Sequence, residues 1–163
     1  MSYTFERLTK KYRKPVIDIF NYYIENSFAA HPEAAMEYGC FDIFMEMAKG
    51  YPSLVAKAET GDVVGFAFLH PYHPASTFNR TAEITYFILP EHTGKGLGKI
   101  ILDRFIEEAR KLGVDNLLVN ISSHNRKSLT FHRNYGFNEC GRFRKVGRKF
   151  GKSFDVVWMQ KRI

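Results

Sequence analysis

The segment His92-Thr93-Gly94-Lys95-Gly96-Leu97-Gly98-Lys99 sets three glycines at alternate positions beside two lysines. Two phosphate-holding patterns are close to it, and it fits neither. A P-loop needs four residues between its first Gly and a closing Gly-Lys-Ser/Thr. Here Gly94 is too near Gly98, and Lys99 is followed by Ile100. The dinucleotide fingerprint is Gly-x-Gly-x-x-Gly, and this is Gly-x-Gly-x-Gly. The chemistry left open is anion binding by the backbone itself. At a helix N-terminus the first N–H groups lack intrahelical partners, and the macrodipole favours negative charge. Glycines let a phosphate approach that backbone. Glycines of a tight, closely packed turn are the other reading, which Lys95 and Lys99 disfavour.

Two further residues could do chemistry. Glu83 lies on the apolar, β-branched run that feeds the loop. Partial burial would raise its pKa into the range useful to a general base; a strand-edge carboxylate paired with Lys or Arg is the alternative. Asn125 stands where a helix begins and can cap it.

The elements that must position these residues follow from periodicity and punctuation. "TFERLT" alternates as a strand. Val16, Ile19, Phe20, Tyr23 and Ile24 recur at helical spacing after Pro15, and "FDIFMEMAKG" is a short second helix stopped by Gly50. "SLVAKAE" and "VVGFAFLH" read as strands joined at Thr60-Gly61-Asp62, and Pro71 to Arg80 as a loop. "TAEITYFIL" is a strand ended by Pro90. After the glycine loop, Leu97, Ile101, Phe105, Ala109 and Leu112 mark a helix face closed by Gly113. "NLLVNI" is a strand, "NRKSLTFHRNY" a helix closed by Gly136, and the tail two more strands. The order is mixed α/β around one sheet.

With 163 residues, one domain is expected. The 45% hydrophobic and 15% aromatic content excludes a disordered chain. No apolar run has membrane-spanning length, and "MSYTFERLTKKYRK" lacks the apolar core of a signal peptide, so no membrane partner and a cytoplasmic setting are expected. Cys40 and Cys140 are expected to be free, and no metal is expected. The formal net charge is +7, and six of the eleven residues in "RFRKVGRKFGK" are basic. That run is either a solvated hairpin or an attractor of an anionic partner, with Phe143 and Phe150 as the aromatics nucleic-acid binding would need. Strand alternation would split its charges between two faces, so nucleic-acid binding is not expected.

Gly96-Leu97-Gly98 after a strand, Asn125-Arg126-Lys127-Ser128, and Gly136-Phe137 ending the next helix together resemble the GNAT acetyltransferase superfamily. "YPSLVA", "GFAFLHPY", "TAEITYF", "SLTFHRNYGF" and "VGRKFGKSFDVVWMQ" are similar to its phosphinothricin and methionine-sulfone acetyltransferase branch, over nearly the whole chain from about Phe5. The resemblance implies a single domain over residues 1–163. The fold would be a GNAT-like α/β one, with a mixed, mostly antiparallel central sheet and about four helices. It implies transfer of an acetyl group from acetyl-CoA to the primary amine of a small amino-acid-like acceptor. Thr93, Gly94, Lys95, Gly96, Leu97, Gly98 and Lys99 would hold the pyrophosphate. Thr93 stands where the family usually has Gln or Arg. Phe87, Ile88 and Leu89 would meet the pantetheine arm through their backbone, helped by Asn125 and Ser128. Glu83 would be the general base, and His132 would protonate the leaving thiolate. Phe28, His31, Glu33, His73 and Arg80 would line the acceptor site; the branch's usual Arg falls on Ala75. A homodimer is implied as well. Acetylation of a protein N-terminus or a polyamine, and a non-catalytic acyl-CoA or nucleic-acid binding module, are the rival readings.

Overall fold

The computed structural model describes residues 2–163. Seven strands form one sheet: β1 (Thr4–Glu6), β2 (Ser53–Lys57), β3 (Val63–Pro71), β4 (Thr81–Ile88), β5 (Asn116–Ser122), β6 (Asn138–Lys149) and β7 (Lys152–Arg162). Four helices flank it: α1 (Arg13–Asn26), α2 (Phe41–Met47), α3 (Leu97–Lys111) and α4 (Arg126–Asn134). The element order is the one read from the sequence. The spatial order is β1-β2-β3-β4-β5-β7-β6. Every neighbouring pair is antiparallel except β4 and β5. No helix among the described residues is long and apolar enough to cross a membrane.

Period-two alternation divides the apolar side chains between two faces. Ala67, Leu69, Ala82, Ile84, Leu117, Val119 and Val157 meet Leu97, Ile101, Phe105 and Ala109 of α3 and Leu129 of α4. Val55, Phe66 and Phe68 on the other face meet Val16, Phe20 and Ile24 of α1 and Phe41 and Phe44 of α2. Leu112 departs from its expected place: α3 ends at Lys111, Leu112 is 52% exposed, and Val114 packs into the core instead.

The β4–β5 pair matters most for function. Thr81, Ala82 and Glu83 pair with Asn116, Leu117 and Leu118, and the pairing stops there. Beyond it β4 continues to Ile88 on β3 alone, and β5 continues to Ser122 on β7 alone. A wedge-shaped notch thus opens in the middle of the sheet, lined by backbone groups without a strand partner.

Candidate active site

The glycine loop lies at the mouth of this notch. Gly96 precedes α3 with φ 86°, and Gly94 has φ 72°, both left-handed conformations that favour glycine. A Cβ on either would meet nothing within 4 Å, so the approach to their backbone is open. No side chain caps α3, and its first turn carries Lys99 but no acid. That inverts the charge preference of a helix N-terminus unless an anion is held there. The residues present therefore fit a pyrophosphate. Gly98 has a different job from the expected one. A Cβ there would stand 3.2 Å from the Phe131 ring, so Gly98 lets α3 approach α4. Lys99 turns along its helix to pair with Asp103, and the Thr93 hydroxyl donates to the Pro90 carbonyl at 2.8 Å. Lys95 is exposed and Leu97 is a core residue.

The upper edge of β4 is only partly free. Leu89 N–H donates to the Val64 carbonyl at 2.8 Å, and the Ile88 carbonyl accepts from the Tyr23 hydroxyl. Those two groups are already occupied, so a ligand contact at this end of the strand would fall on the other backbone groups of Ile88 and Leu89. Burial pushes the Tyr23 phenol up to about 12, so it remains a donor. Phe87 packs against Phe20, Tyr23 and Phe66.

Asn125 caps α4 as expected, its side-chain oxygen accepting from Ser128 N–H at 3.2 Å. His132, 2% exposed, faces Phe131, Phe137 and Tyr86. Its Nδ1 lies 2.7 Å from the Ser128 carbonyl, which only accepts, so Nδ1 carries the hydrogen. Nε2 then accepts from the Tyr86 hydroxyl. Burial lowers the imidazole pKa to about 4. A neutral ring with both nitrogens engaged does not fit the expected role of thiolate donor. It fits a post that fixes Tyr86 and α4 against β4.

This arrangement has a stability signature. The folded-state pKa lies below the unfolded one, so the contribution is full above about pH 6.5 and is lost as pH falls toward 4. In urea titrations across that window, the wild-type chain should lose on the order of 3 kcal/mol more than His132→Gln. Parallel pH dependence in the two proteins would contradict the buried neutral ring.

The opposite face of the sheet carries a second polar cluster at the closed end of the notch. Glu83 on β4 accepts from the Asn120 amide on β5. Asn120 Oδ1 accepts from His31 Nε2–H at 3.0 Å. Glu83 Oε2 lies 3.8 Å from His70 Nε2 on β3, and both side chains are 14% exposed. Burial raises the Glu83 carboxyl pKa, opposed by His70, Asn120 and His31. No Lys or Arg among the described residues pairs with Glu83, so the structural alternative of a salt-bridged strand carboxylate is not what the fold contains.

The segment from Ser27 to Glu33 roofs this cluster. His31 stacks on Phe154, with rings 5.9 Å apart and 4° from parallel. Phe28 packs against His124, Phe150 and Phe154. Lys149, fully buried, donates from Nζ to the Ala30 carbonyl at 2.6 Å and fastens the roof to the β6–β7 hairpin. Burial lowers its pKa, and the nearby charge of exposed Glu33 opposes that. Sequence reasoning found Phe28 and His31 but missed Asn120, His70 and Lys149. Arg80 and His73 are elsewhere. Arg80 Nε donates to Asp115 at 2.9 Å beside the closed end of the β4–β5 pair. His73 is exposed and packs on Phe78, its Nδ1 accepting from Ala75 N–H. Asp115, unremarkable in the sequence, is what takes Arg80 away from a substrate role.

The family model described as acetyltransferase (GNAT) family matches residues 16–137, from α1 through α4. The chain belongs to the GNAT family. Among relatives, it is 38% identical over 112 residues to an L-methionine sulfoximine/L-methionine sulfone acetyltransferase of Pseudomonas aeruginosa. The match covers 69% of this chain and 65% of that relative, so the chain spans just under two thirds of the relative's length. Among GNAT structures, a ribosomal-protein-alanine N-acetyltransferase from Brucella melitensis superposes with TM-score 0.89 at 33% identity, covering 98% of this chain and 99% of the other. The yncA structure from Salmonella typhimurium, solved with its cofactor acetyl-CoA, gives TM-score 0.89 at 29% identity, covering 99% and 94%. The branch resemblance and the GNAT-like sheet expected from the sequence are both borne out.

Proposed function

We propose that this chain is an N-acetyltransferase that moves the acetyl group of acetyl-CoA to the primary amine of a small amino-acid-like acceptor. The observation that carries the reading is the two-sided notch. A backbone anion cradle stands at its mouth, and a buried carboxylate with no Lys or Arg partner among the described residues stands at its closed end. Ile88 and Glu83 are five residues apart on one strand, about 16 Å, a span that suits an extended pantetheine arm. The positive-φ backbone at Gly94 and Gly96 takes the pyrophosphate, and the unpaired strand edges meet the arm. The acceptor ammonium sits under the roof, where Glu83 removes its proton. Amide N–H groups along the notch polarise the thioester carbonyl.

The roof favours a small acceptor. His31, Phe28 and the Lys149 tie stand over Glu83, an arrangement that favours a compact acceptor over a polypeptide. The relative acting on methionine sulfoximine and sulfone supports the same choice. Acetylation of a protein N-terminus is the second reading, favoured by the Brucella structure. Acetyl-CoA-dependent thiol release should be assayed over amino acids, sulfoximine and sulfone analogues, polyamines and peptides with N-terminal alanine. Turnover confined to the peptides would sink the small-acceptor reading, and no turnover with any amine would sink the transferase.

The setting proposed is cytoplasmic, without nucleic acid. Of the basic run, Arg142 pairs with Glu139 and Asp155, and Lys149 is buried, which supports a hairpin with no single phosphate-binding patch. A homodimer is also proposed. Phe143, Val146 and Phe150, each at least half exposed, cluster in sequence on the β6–β7 hairpin, whose outer strand β6 forms one edge of the sheet. Light scattering at micromolar concentration should give twice the chain mass, and Phe143→Lys should shift it toward one. A wild-type monomer would refute the dimer.

A further inference from the structure

We propose that His70 is the proton-receiving partner of Glu83: the carboxylate takes the acceptor's proton and passes it to the imidazole, which delivers it to solvent. This rests on Glu83 acting as the base. His70 Nδ1 lies 3.1 Å from the Pro71 carbonyl, an acceptor only, so the ring hydrogen sits on Nδ1. The free lone pair of Nε2 then faces Glu83 Oε2 at 3.8 Å. That gap closes with a small rotation of the carboxylate or with one bridging water. The other carboxylate oxygen, Oε1, is held by the Asn120 amide, whose own oxygen accepts from His31. Proton traffic is therefore left to Oε2.

The titratable groups facing Glu83 are His70 from β3 and His31 from the roof; Asn120 of β5 contributes an amide. His31 is separated from the carboxylate by that amide, which cannot relay a proton as it stands. His70 alone offers an unprotonated nitrogen to Oε2. It also occupies the end of β3, next to the exposed loop from Tyr72 to Arg80. The two side chains are equally sealed, at 14% exposure each, so what His70 adds is its place beside that loop.

The proton count closes. The acceptor ammonium gives one proton to Glu83 Oε2 and becomes an amine. The amine attacks the thioester carbonyl, a C–N bond forms and the C–S bond breaks. The second nitrogen proton ends on the thiolate. One proton per turnover must therefore leave the enzyme, and it is the one Glu83 took. Transfer from Oε2 to His70 Nε2 restores the carboxylate and creates an imidazolium beside it. Release from the ring to water restores the starting state. No outside reactant is needed.

The test combines pH profiles of kcat/KM for wild type, His70→Asn and His70→Gln with ring-nitrogen NMR of the wild-type and Glu83→Gln chains. His70 opposes the rise that burial imposes on the Glu83 pKa, so removing it should move the acidic limb to higher pH by about one unit. Acetyl-CoA affinity should stay unchanged. Free imidazole should restore part of the lost turnover in His70→Ala and none in Glu83→Gln. In the NMR experiment, the ring hydrogen should be found on Nδ1 with Nε2 bare, a readout that does not depend on any His70 variant folding. An unmoved acidic limb, absence of imidazole rescue, or a ring hydrogen found on Nε2 overturns the role of His70 alone. Wild-type turnover in Glu83→Gln overturns the base reading beneath it.

Discussion

Glu83→Gln is expected to lower kcat/KM by about 10²–10⁴-fold, the usual yield of a general base, while acetyl-CoA affinity stays at its wild-type value. The substitution preserves shape. A glutamine oxygen can still accept from the Asn120 amide, so the strand pairing around it should hold. What disappears is the lone pair that receives the ammonium proton. The pH dependence then identifies the defect. As pH rises toward the acceptor amine's own pKa, more acceptor arrives deprotonated and needs no base, so the deficit should shrink. A structural defect would persist at all pH values. Steady-state rates across the pH range, with acetyl-CoA binding by calorimetry, check both halves. Wild-type turnover throughout would make Glu83 a structural carboxylate.

Gly96→Val is expected to weaken acetyl-CoA binding by about 10–100-fold, equivalent to losing one or two charge-assisted backbone hydrogen bonds. Gly96 holds φ 86° with open space where a Cβ would go. A valine there combines left-handed strain with a branched obstacle over the cradle. Strain alone must be separated from obstruction, and Gly61 supplies the control. It has φ 89° at the β2–β3 turn and equally open space. Gly61→Val and Gly96→Val should both cost about 1–3 kcal/mol of stability. Only Gly96→Val should lose the ligand. Equal affinities in the two variants would remove the loop from the acetyl-CoA site. Gly98→Val would be a poor substitute, because its side chain would press on Phe131 and confuse packing with binding.

Local pattern revealed most of the fold and part of the candidate site. Helix spacing, strand alternation and punctuation at Gly50, Pro90, Gly113 and Gly136 recovered every major element in order. Asn125 was legible because capping is a local event. Glu83 was legible as a lone carboxylate in an apolar strand beside a glycine loop. The three glycines of that loop, by contrast, look alike in sequence. Left-handed backbone at Gly94 and Gly96, and at Gly98 the approach of Phe131 from more than thirty residues away, tell them apart. Asn120 and His70 carried a signal that was not used. His70 is a polar residue in an otherwise apolar strand and Asn120 stands between Val119 and Ile121, both at the parity that turns away from the α3 side. What sequence could not supply was which strands are neighbours. The β3-β4-β5 order sets His70 directly across from Glu83 and puts Asn120, two residues beyond the register partner Leu118, within side-chain reach of it. Arg80 shows the same limit in reverse. It looked available until Asp115, at the start of the neighbouring strand, proved to hold it.

Because three residue pairs are all that stitch β4 to β5, the molecule is mechanically two half-sheets on a short hinge, with α3 packed across both. A ligand in the notch would pair with backbone on either side and behave as a removable strand. Occupancy would then brace the hinge, and the protein's resistance to heat would follow acetyl-CoA concentration, gaining about 2.7 kcal/mol at a hundredfold excess over Kd. The bracing would show locally as slower amide exchange along Ile84 to Ile88 and Val119 to Ser122, the two lips of the notch, with the outer strands unaffected.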